Sequence, residues 1–546
     1  MENSWIQLND LSDEILLIIF KKLPTTEVLY SLASVSIRFN RIAYDSVFTN
    51  HLTFLMAASD GFVYPLPNPV LDRFYLHILP EIHQSVQWLE LESQSMQRIL
   101  FATSYPNLYG ISLYNIEAKT FISLFTGETS VMHTLRNQIS ALVIDISTNE
   151  TQRFTRDDNE ILFTHIFTMF TNLQYLNFSP SSFGHQRLSF RTQPPTIIST
   201  NLLKLHVSLN DFNDCLYLLD GSFNQLHTLY VNISFIVSTN VSVNNKKKLP
   251  TLKCFSLQCD MSGNVYDELI LPLLRRMMNL EKLDLCLSVS GRKSFVDGND
   301  LKINIINHMP RLYKFIFNIR SSSCFYNEVN LPSNKFIQET FRDFKDKEII
   351  YYVDYFPKRR ESRCHIYSYP YRLKDYYDIT NNFSGGIFKC VRKVSLFDER
   401  PFEHQFFLRI SQSFPLVEYL TVVNEKRQID KRFRKTKNEV QNLLIIQYPY
   451  LKYLNLIDTC IDYHEQFLCD TKMCLPFDVN VYMNYKIVRK VTRNFRRNST
   501  RSNCAKMGYV YLSREAKCCG SLNEFFCPKL QFPEHIQDYF PHAQIK

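Results

Sequence analysis

Leu249-Pro250-Thr251-Leu252-Lys253-Cys254-Phe255-Ser256-Leu257 carries an apolar anchor, Leu252, followed by apolar residues three and five positions on. Those three positions are the inward ones of a turn entering a short strand, and the proline stops whatever helix precedes it. The pattern returns at Tyr105-Pro106-Asn107-Leu108 with Ile111 and Leu113, and at Met309-Pro310-Arg311-Leu312 with Phe315 and Phe317. It returns again at Phe414-Pro415-Leu416-Val417 with Leu420 and Val422, and at Tyr448-Pro449-Tyr450-Leu451 with Leu454 and Leu456. Copies without proline keep the spacing: Val86, Leu89, Leu91; Ile139, Leu142, Ile144; Leu173, Leu176, Phe178; Leu202, Leu205, Val207; Leu226, Leu229, Val231; Leu280, Leu283, Leu285; Val391, Val394, Leu396. One such triplet arises by chance in any hydrophobic chain, but twelve do not. From Val86 to Leu312 the anchors stand 22 to 34 residues apart, room for a strand and a returning helix. Helical stretches precede some anchors, as at Glu160–Phe170 and Leu271–Met278. Each unit buries only one side alone, so stacking of neighbours stabilises the array.

With 546 residues, 45% of them hydrophobic, the chain is long for one compact domain and implies several units or a repeat array. Only 12 residues are glycine, roughly 2% against an average of about 7%, which leaves little material for phosphate-cradling loops. Met1-Glu2-Asn3-Ser4-Trp5 has no basic cluster, and the apolar run Ile15–Phe20 is too short for a signal or a membrane span. The reading is a protein of the cytoplasm, the nucleus or both, with no membrane partner. Fourteen cysteines, scattered among apolar neighbours, suit a reducing compartment and no disulfide framework.

Residues 8 to 50 read as three short helices. Ser12 stands where it caps the first, and Asp13 and Glu14 lie in the turn where the helix dipole favours negative charge. Ile15-Leu16-Leu17-Ile18-Ile19-Phe20 then puts apolar residues on every side of the helix. After Leu23-Pro24, Thr25 and Thr26 offer a second cap, with Val28, Leu29 and Leu32 as the next stripe; Phe39, Ile42, Ala43 and Val47 are placed inward on a third helix, with Arg38 and Arg41 outward. About 40 residues build no self-sufficient core. The surplus apolar surface therefore needs a cover, either a partner protein or the chain's own following domain.

The run Leu8-Asn9-Asp10-Leu11-Ser12-Asp13-Glu14-Ile15-Leu16, then Ile19-Phe20, Leu23, Glu27-Val28-Leu29, Leu32, Val35, Phe39-Asn40 and Ile42, resembles the F-box along its whole length. Ser12 stands where that family usually has proline, and Phe39 and Phe48 where tryptophan is common. The resemblance implies docking onto a Skp-type cullin adaptor through Leu8, Leu11, Ser12, Ile15, Leu16, Ile19, Phe20, Leu23, Val28 and Leu29. The triplets resemble the first half of a leucine-rich repeat, in degenerate form, and F-box proteins often pair the two. The fold class that follows is α/β: an N-terminal three-helix F-box and then a leucine-rich-repeat-like solenoid.

Domain limits follow from this: 1–52 docking module, 53–80 linker, 81–320 repeats, 321–385 an irregular insert or degenerate repeat, 386–485 repeats continued, 486–546 a basic C-terminal segment and cap. Between the inward positions, Trp88, Glu90, Tyr175, Lys204, Tyr230, Lys282, Asp284, Tyr419 and Tyr453 point to the opposite face and are candidates for holding an unknown protein substrate. No phosphate loop, dinucleotide fingerprint or nucleophile elbow is present. His464-Glu465 opens like a zinc-protease helix, but Leu468 occupies the second histidine position; Cys504, Cys518, Cys519 and Cys527 lack paired knuckle spacing. No enzyme activity, cofactor or metal is expected. Lys486, Arg489, Lys490, Arg493, Arg496, Arg497 and Arg501 form a basic run, read as the solvent side of a helix that buries Val488, Val491 and Phe495 rather than as a nucleic-acid site, since no aromatic platform interleaves. The functional expectation is the substrate receptor of an SCF-type ubiquitin ligase. The alternative is a repeat scaffold for protein interaction, its N-terminal helices serving only as a solenoid cap.

Overall fold

The computed structural model describes residues 8–33, 35–57, 63–127, 130–146, 156–178, 187–190, 199–220, 223–236, 248–263, 265–325, 332–344, 348–429, 444–513, 532–533 and 535–546. They fall into two compact units, one of Met1–Arg292 with Gly298–Ile319, the other of Lys293–Asp297 with Arg320–Lys546.

In the first unit the strands His51–Thr53, Trp88–Glu92, Gly110–Ile116, Ala141–Ile146, Tyr175–Phe178, Lys204–Leu209, Thr228–Ile233, Cys254–Gly263 and Lys282–Val289 pair in chain order, each parallel to the next. Lys314–Cys324 is the next neighbour in that sheet. The triplets set the register. Leu89, Ile111, Leu142, Leu176, Leu205, Leu229, Phe255 and Leu283 lie level across it, and Leu91, Leu113, Ile144, Phe178, Val207, Val231, Leu257 and Leu285 form the second row. Every residue of the twelve triplets is buried except Leu312, which is half-buried. A parallel strand pair needs a crossover, and the intervals hold helices such as Ser93–Leu100, Ala118–Thr126, Arg156–Met169 and Phe212–Leu219. Phenylalanines join these layers: Phe163 of one helix meets Phe178 of the sheet at 5.4 Å, and Phe125 of another helix meets Phe170, just past the end of Arg156–Met169, at 5.2 Å.

The stretch 53–80, read as a linker, holds an antiparallel pair, Leu55–Ala57 with Val63–Pro65, and helical turns from Asn68 to Ile82. Leu71, Phe74, Ile78, Leu79 and Ile82 are buried there. A wide five-residue turn at Phe74–Ile78 breaks the ordinary helical period, and Pro69 and Pro80 interrupt the pattern further.

In the second unit Asp375–Ile379, Lys393–Phe397, Tyr419–Val423, Tyr453–Asn455, Val479–Asn484, Met507–Ser513 and Gln544–Ile545 make a seven-stranded parallel sheet. Val394, Leu420, Leu454, Val481 and Val510 are level in it. The last two strands lie in the region read as a basic segment and cap. There Met507, Val510 and Leu512 obey the triplet spacing, whereas Asp478 occupies the anchor position before Val481 and hides that copy. Residues 321–385 are not irregular throughout. Ile349–Phe356 and Glu361–Ser368 form an antiparallel hairpin with Ser362, Cys364 and Ile366 buried in alternation, a period of two that a search for repeats passes over. Val488, Val491 and Phe495 are buried, and of the seven basic residues only Arg497 is half-buried, paired with Glu465 at 2.8 Å. Cys504 is buried, while Cys518, Cys519 and Cys527 lie outside the described residues.

A candidate docking surface

On the first sheet the positions between the anchors form a face of their own. Tyr175 and Lys204 are register partners, with the Lys204 ammonium 4.9 Å from the Tyr175 ring centre and 5.8 Å from that of Tyr230. His206, which the sequence reading passed over, completes this cluster: its ring lies 4.2 Å from Tyr230 and 5.5 Å from Tyr175. Burial, with the Lys204 charge, pushes its pKa down to about 4, and its buried Nε2 has no hydrogen-bond partner among the described residues. Lys282 and Asp284 stand two strands beyond Tyr230, Lys282 near the Tyr313 ring. Trp88 and Glu90 are tied down instead. The Trp88 ring covers Gly110 and its Nε1 donates to Ser112 Oγ at 2.9 Å; Glu90 pairs with His51 at 3.0 Å and accepts from Thr53 at 3.0 Å.

On the sheet of the second unit Tyr419 and Tyr453 stack with centroids 4.5 Å apart and planes 6° from parallel. Tyr482, Tyr509 and Tyr511 extend the phenol band over the next two strands, at 6.1 and 5.6 Å from Tyr482. Reading one residue per strand missed these three because their strands lay beyond the recognised triplets.

The N-terminal helices carry a surface of another kind. The helix α1 is Asp13–Phe20, α2 is Thr25–Leu32, α3 is Ile37–Ala43 and α4 is Ser46–Thr49. Ser12 holds the cap position of α1 with extended backbone, yet its side chain makes no capping bond; the nearby Ser12 hydroxyl favours the charged form of Glu14 and lowers that carboxyl's pKa. Arg38, expected to face outward, secures the helix start instead. It donates to Asp13 at 2.7 Å, to the Asn9 carbonyl at 2.7 Å and to the Leu11 carbonyl, while Arg41 reaches the other Asp13 oxygen. The Arg38 hydrogen bond holds the Asp13 carboxyl below its usual range, with Arg41 adding to the effect.

This fixes which sides of α1 are covered. Leu16 and Phe20 turn into the bundle, where Phe20 meets Phe39 edge-on at 6.4 Å, and Val28 and Leu29 are buried as well. Ile15, Ile18 and Ile19 share the opposite side, 46%, 62% and 38% exposed, and Leu8 and Leu23 continue the exposed apolar stripe at either end. Of the ten candidate contacts, then, Leu8, Ser12, Ile15, Ile19 and Leu23 are exposed, Leu11 is half-buried, and Leu16, Phe20, Val28 and Leu29 are the core that holds the stripe out. Ile18 joins the exposed group. Val47, expected inward, is exposed, with Phe48 buried in its place.

Residues 8–51 match the F-box domain. The match ends where the first sheet strand begins. As a whole the chain matches none of the curated proteins it was compared with. The F-box helices are part of the first unit and are bonded to the elements that follow them. The Asn50 carbonyl accepts from the N–H groups of Gln87 and Trp88, both at 2.9 Å, and Arg73 donates to the Ala33 carbonyl at 2.8 Å with its guanidinium 4.7 Å from the Tyr30 ring centre. Among the described residues no helix is long and apolar enough to cross a membrane, and no group of three His, Cys, Asp or Glu side chains is placed to hold a metal ion.

Proposed function

We propose that this chain is the substrate-recognition subunit of an SCF-type ubiquitin ligase. The F-box docks on a Skp-type cullin adaptor, the leucine-rich-repeat-like strands form a solenoid that holds a protein target, and ubiquitin transfer belongs to other subunits, so the chain itself is no enzyme. Its place of work is the cytoplasm, the nucleus or both. The observation that carries this reading is the stripe of Leu8, Ile15, Ile18, Ile19 and Leu23, apolar and uncovered within a domain matched as an F-box. A patch of that kind on a folded protein marks an interaction site. On the target side, the Tyr175–Lys204–His206–Tyr230 cluster and the tyrosine band from Tyr419 to Tyr511 supply ring faces of the sort that dominate protein interfaces.

The scaffold alternative draws support from α2 and α4, whose buried Val28, Leu29 and Phe48 lie beside the first strand. A capping side and a docking side are compatible in one module, since they use different residues. Expression of the full chain with a Skp-type adaptor and cullin separates the readings: the receptor role predicts recovery of all three together, and a stable chain that recovers neither partner supports the scaffold.

A further inference from the structure

A cleft of about 290 Å³ opens beside the hairpin of the second unit. Its floor is one face of that hairpin: Ile350 and Tyr352 alternate on one strand with Glu348 just before it, while Tyr367, level with Ile350, stands on the other strand with Tyr369 just past it. Its wall is the loop of residues 384–388, fastened to the floor where Tyr352 Oη and Ser384 Oγ lie 3.1 Å apart. The lip of the wall is bare backbone. Gly385 and Gly386 have φ of +107° and +135°, and a Cβ on Gly386 would sit 2.9 Å from the Phe388 ring. The floor is held in place beforehand: Tyr367 is 1% exposed and packs edge-on against Tyr371 at 5.0 Å and Tyr376 at 6.0 Å.

One of the described residues lining the cleft carries a formal charge. Among the described residues Glu348 is the only carboxylate lining it, is exposed and forms no ion pair, and no lysine or arginine lines the space. Arg409 lies beside Gly385 through its side-chain carbons and directs a guanidinium N–H to the Phe383 carbonyl at 2.7 Å; it keeps its charge but is not among the residues lining the cleft. Tyrosine faces attract a cation through the ring quadrupole, and a carboxylate at the mouth adds a charge of opposite sign.

We propose that this cleft receives a lysine or arginine side chain presented by the protein target. The aliphatic stem lies along Ile350 and the rings, and the charged head reaches Glu348. This rests on the target-binding half of the reading above and owes nothing to adaptor docking, so it is tested without the adaptor. The full chain is titrated with N-acetyl-arginine amide, N-acetyl-lysine amide and the uncharged N-acetyl-norleucine amide, with binding followed by ligand-observed NMR. At least one cation should saturate and bind about fivefold or more tighter than norleucine. Glu348→Gln, on an exposed side chain that leaves the fold intact, should remove most of that preference while leaving norleucine unchanged, and Tyr352→Leu should do the same from the ring side. The proposal is overturned if neither cation saturates, if norleucine binds as well as both, or if Glu348→Gln leaves cation affinity within about a factor of two. Loss of cation binding in a chain that still carries the adaptor would count against the cleft alone.

Discussion

Gly110 lies under the Trp88 ring so closely that a Cβ built on it would fall 2.0 Å from the indole carbon Cε3. Any larger residue must lift the ring from the sheet and break its bond to Ser112. Gly110→Val is therefore expected to cost about 1–3 kcal/mol of stability through overpacking, seen as a lower melting temperature together with red-shifted tryptophan emission. An unchanged melt would show that the indole has a second resting place. Asp214 makes a different kind of single-residue test. Burial pushes its carboxyl up to about 7, against the opposing pull of the Phe190 N–H it accepts at 2.8 Å. A raised folded-state pKa means that the folded chain holds this proton more tightly than the unfolded chain. The resulting stability is complete below the ordinary value of 3.8 and is lost as pH rises to about 7. Across that window one proton contributes a slope of at most about 1.4 kcal/mol per pH unit. Thermal melts of Asp214→Asn from pH 4 to 8 should fall less steeply than those of the parent chain; parallel curves would contradict the assignment. Neither feature was legible beforehand, since Trp88 and Gly110 are 22 positions apart and their contact depends on register.

Among the elements, the twelve triplets were readable because each repeats one steric requirement, two inward side chains on a strand and one in the turn before it. The helical turns at 68–82 were not, because the wide turn at Phe74–Ile78 takes the apolar residues out of ordinary phase. That segment is nonetheless what holds the F-box. Arg73 bonds the end of α2 and covers Tyr30, so Arg73→Ala should cost about 1–2 kcal/mol locally. Hydrogen exchange should quicken across α1 to α4 and stay unchanged in the strands beyond Trp88. Uniform acceleration through the whole first unit would mean that the F-box and the sheet open together. On α1 itself, the sequence established that apolar residues surround the helix but not which of them are covered. The split between Leu16 with Phe20 and Ile15 with Ile18 and Ile19 depends on how α3 is drawn against the helix start by Arg38 and Asp13.

For the whole molecule, the two readings of the N-terminal helices share one module but use separate sides. Deleting residues 1–50 would remove the exposed stripe and also uncover Leu52 and the buried side of the first strand, and should lower the melting temperature whether or not an adaptor is ever bound. A melt identical to that of the full chain would show that the helices lend the sheet nothing. Point changes on the stripe avoid that confusion. Ile15 and Ile19 are exposed, whereas charging Phe20 would strike the core.

The most direct measurement is a calorimetric titration of purified full-length chain with a Skp-type adaptor, beside the same titration of an Ile15→Asp, Ile19→Asp double variant. A stable complex needs an interface of about 1,000 Å² or more, and two buried charges at its centre would remove measurable affinity. The account predicts a one-to-one complex for the parent chain and none for the variant, with the two melting at the same temperature. Equal binding by a well-folded variant would contradict it.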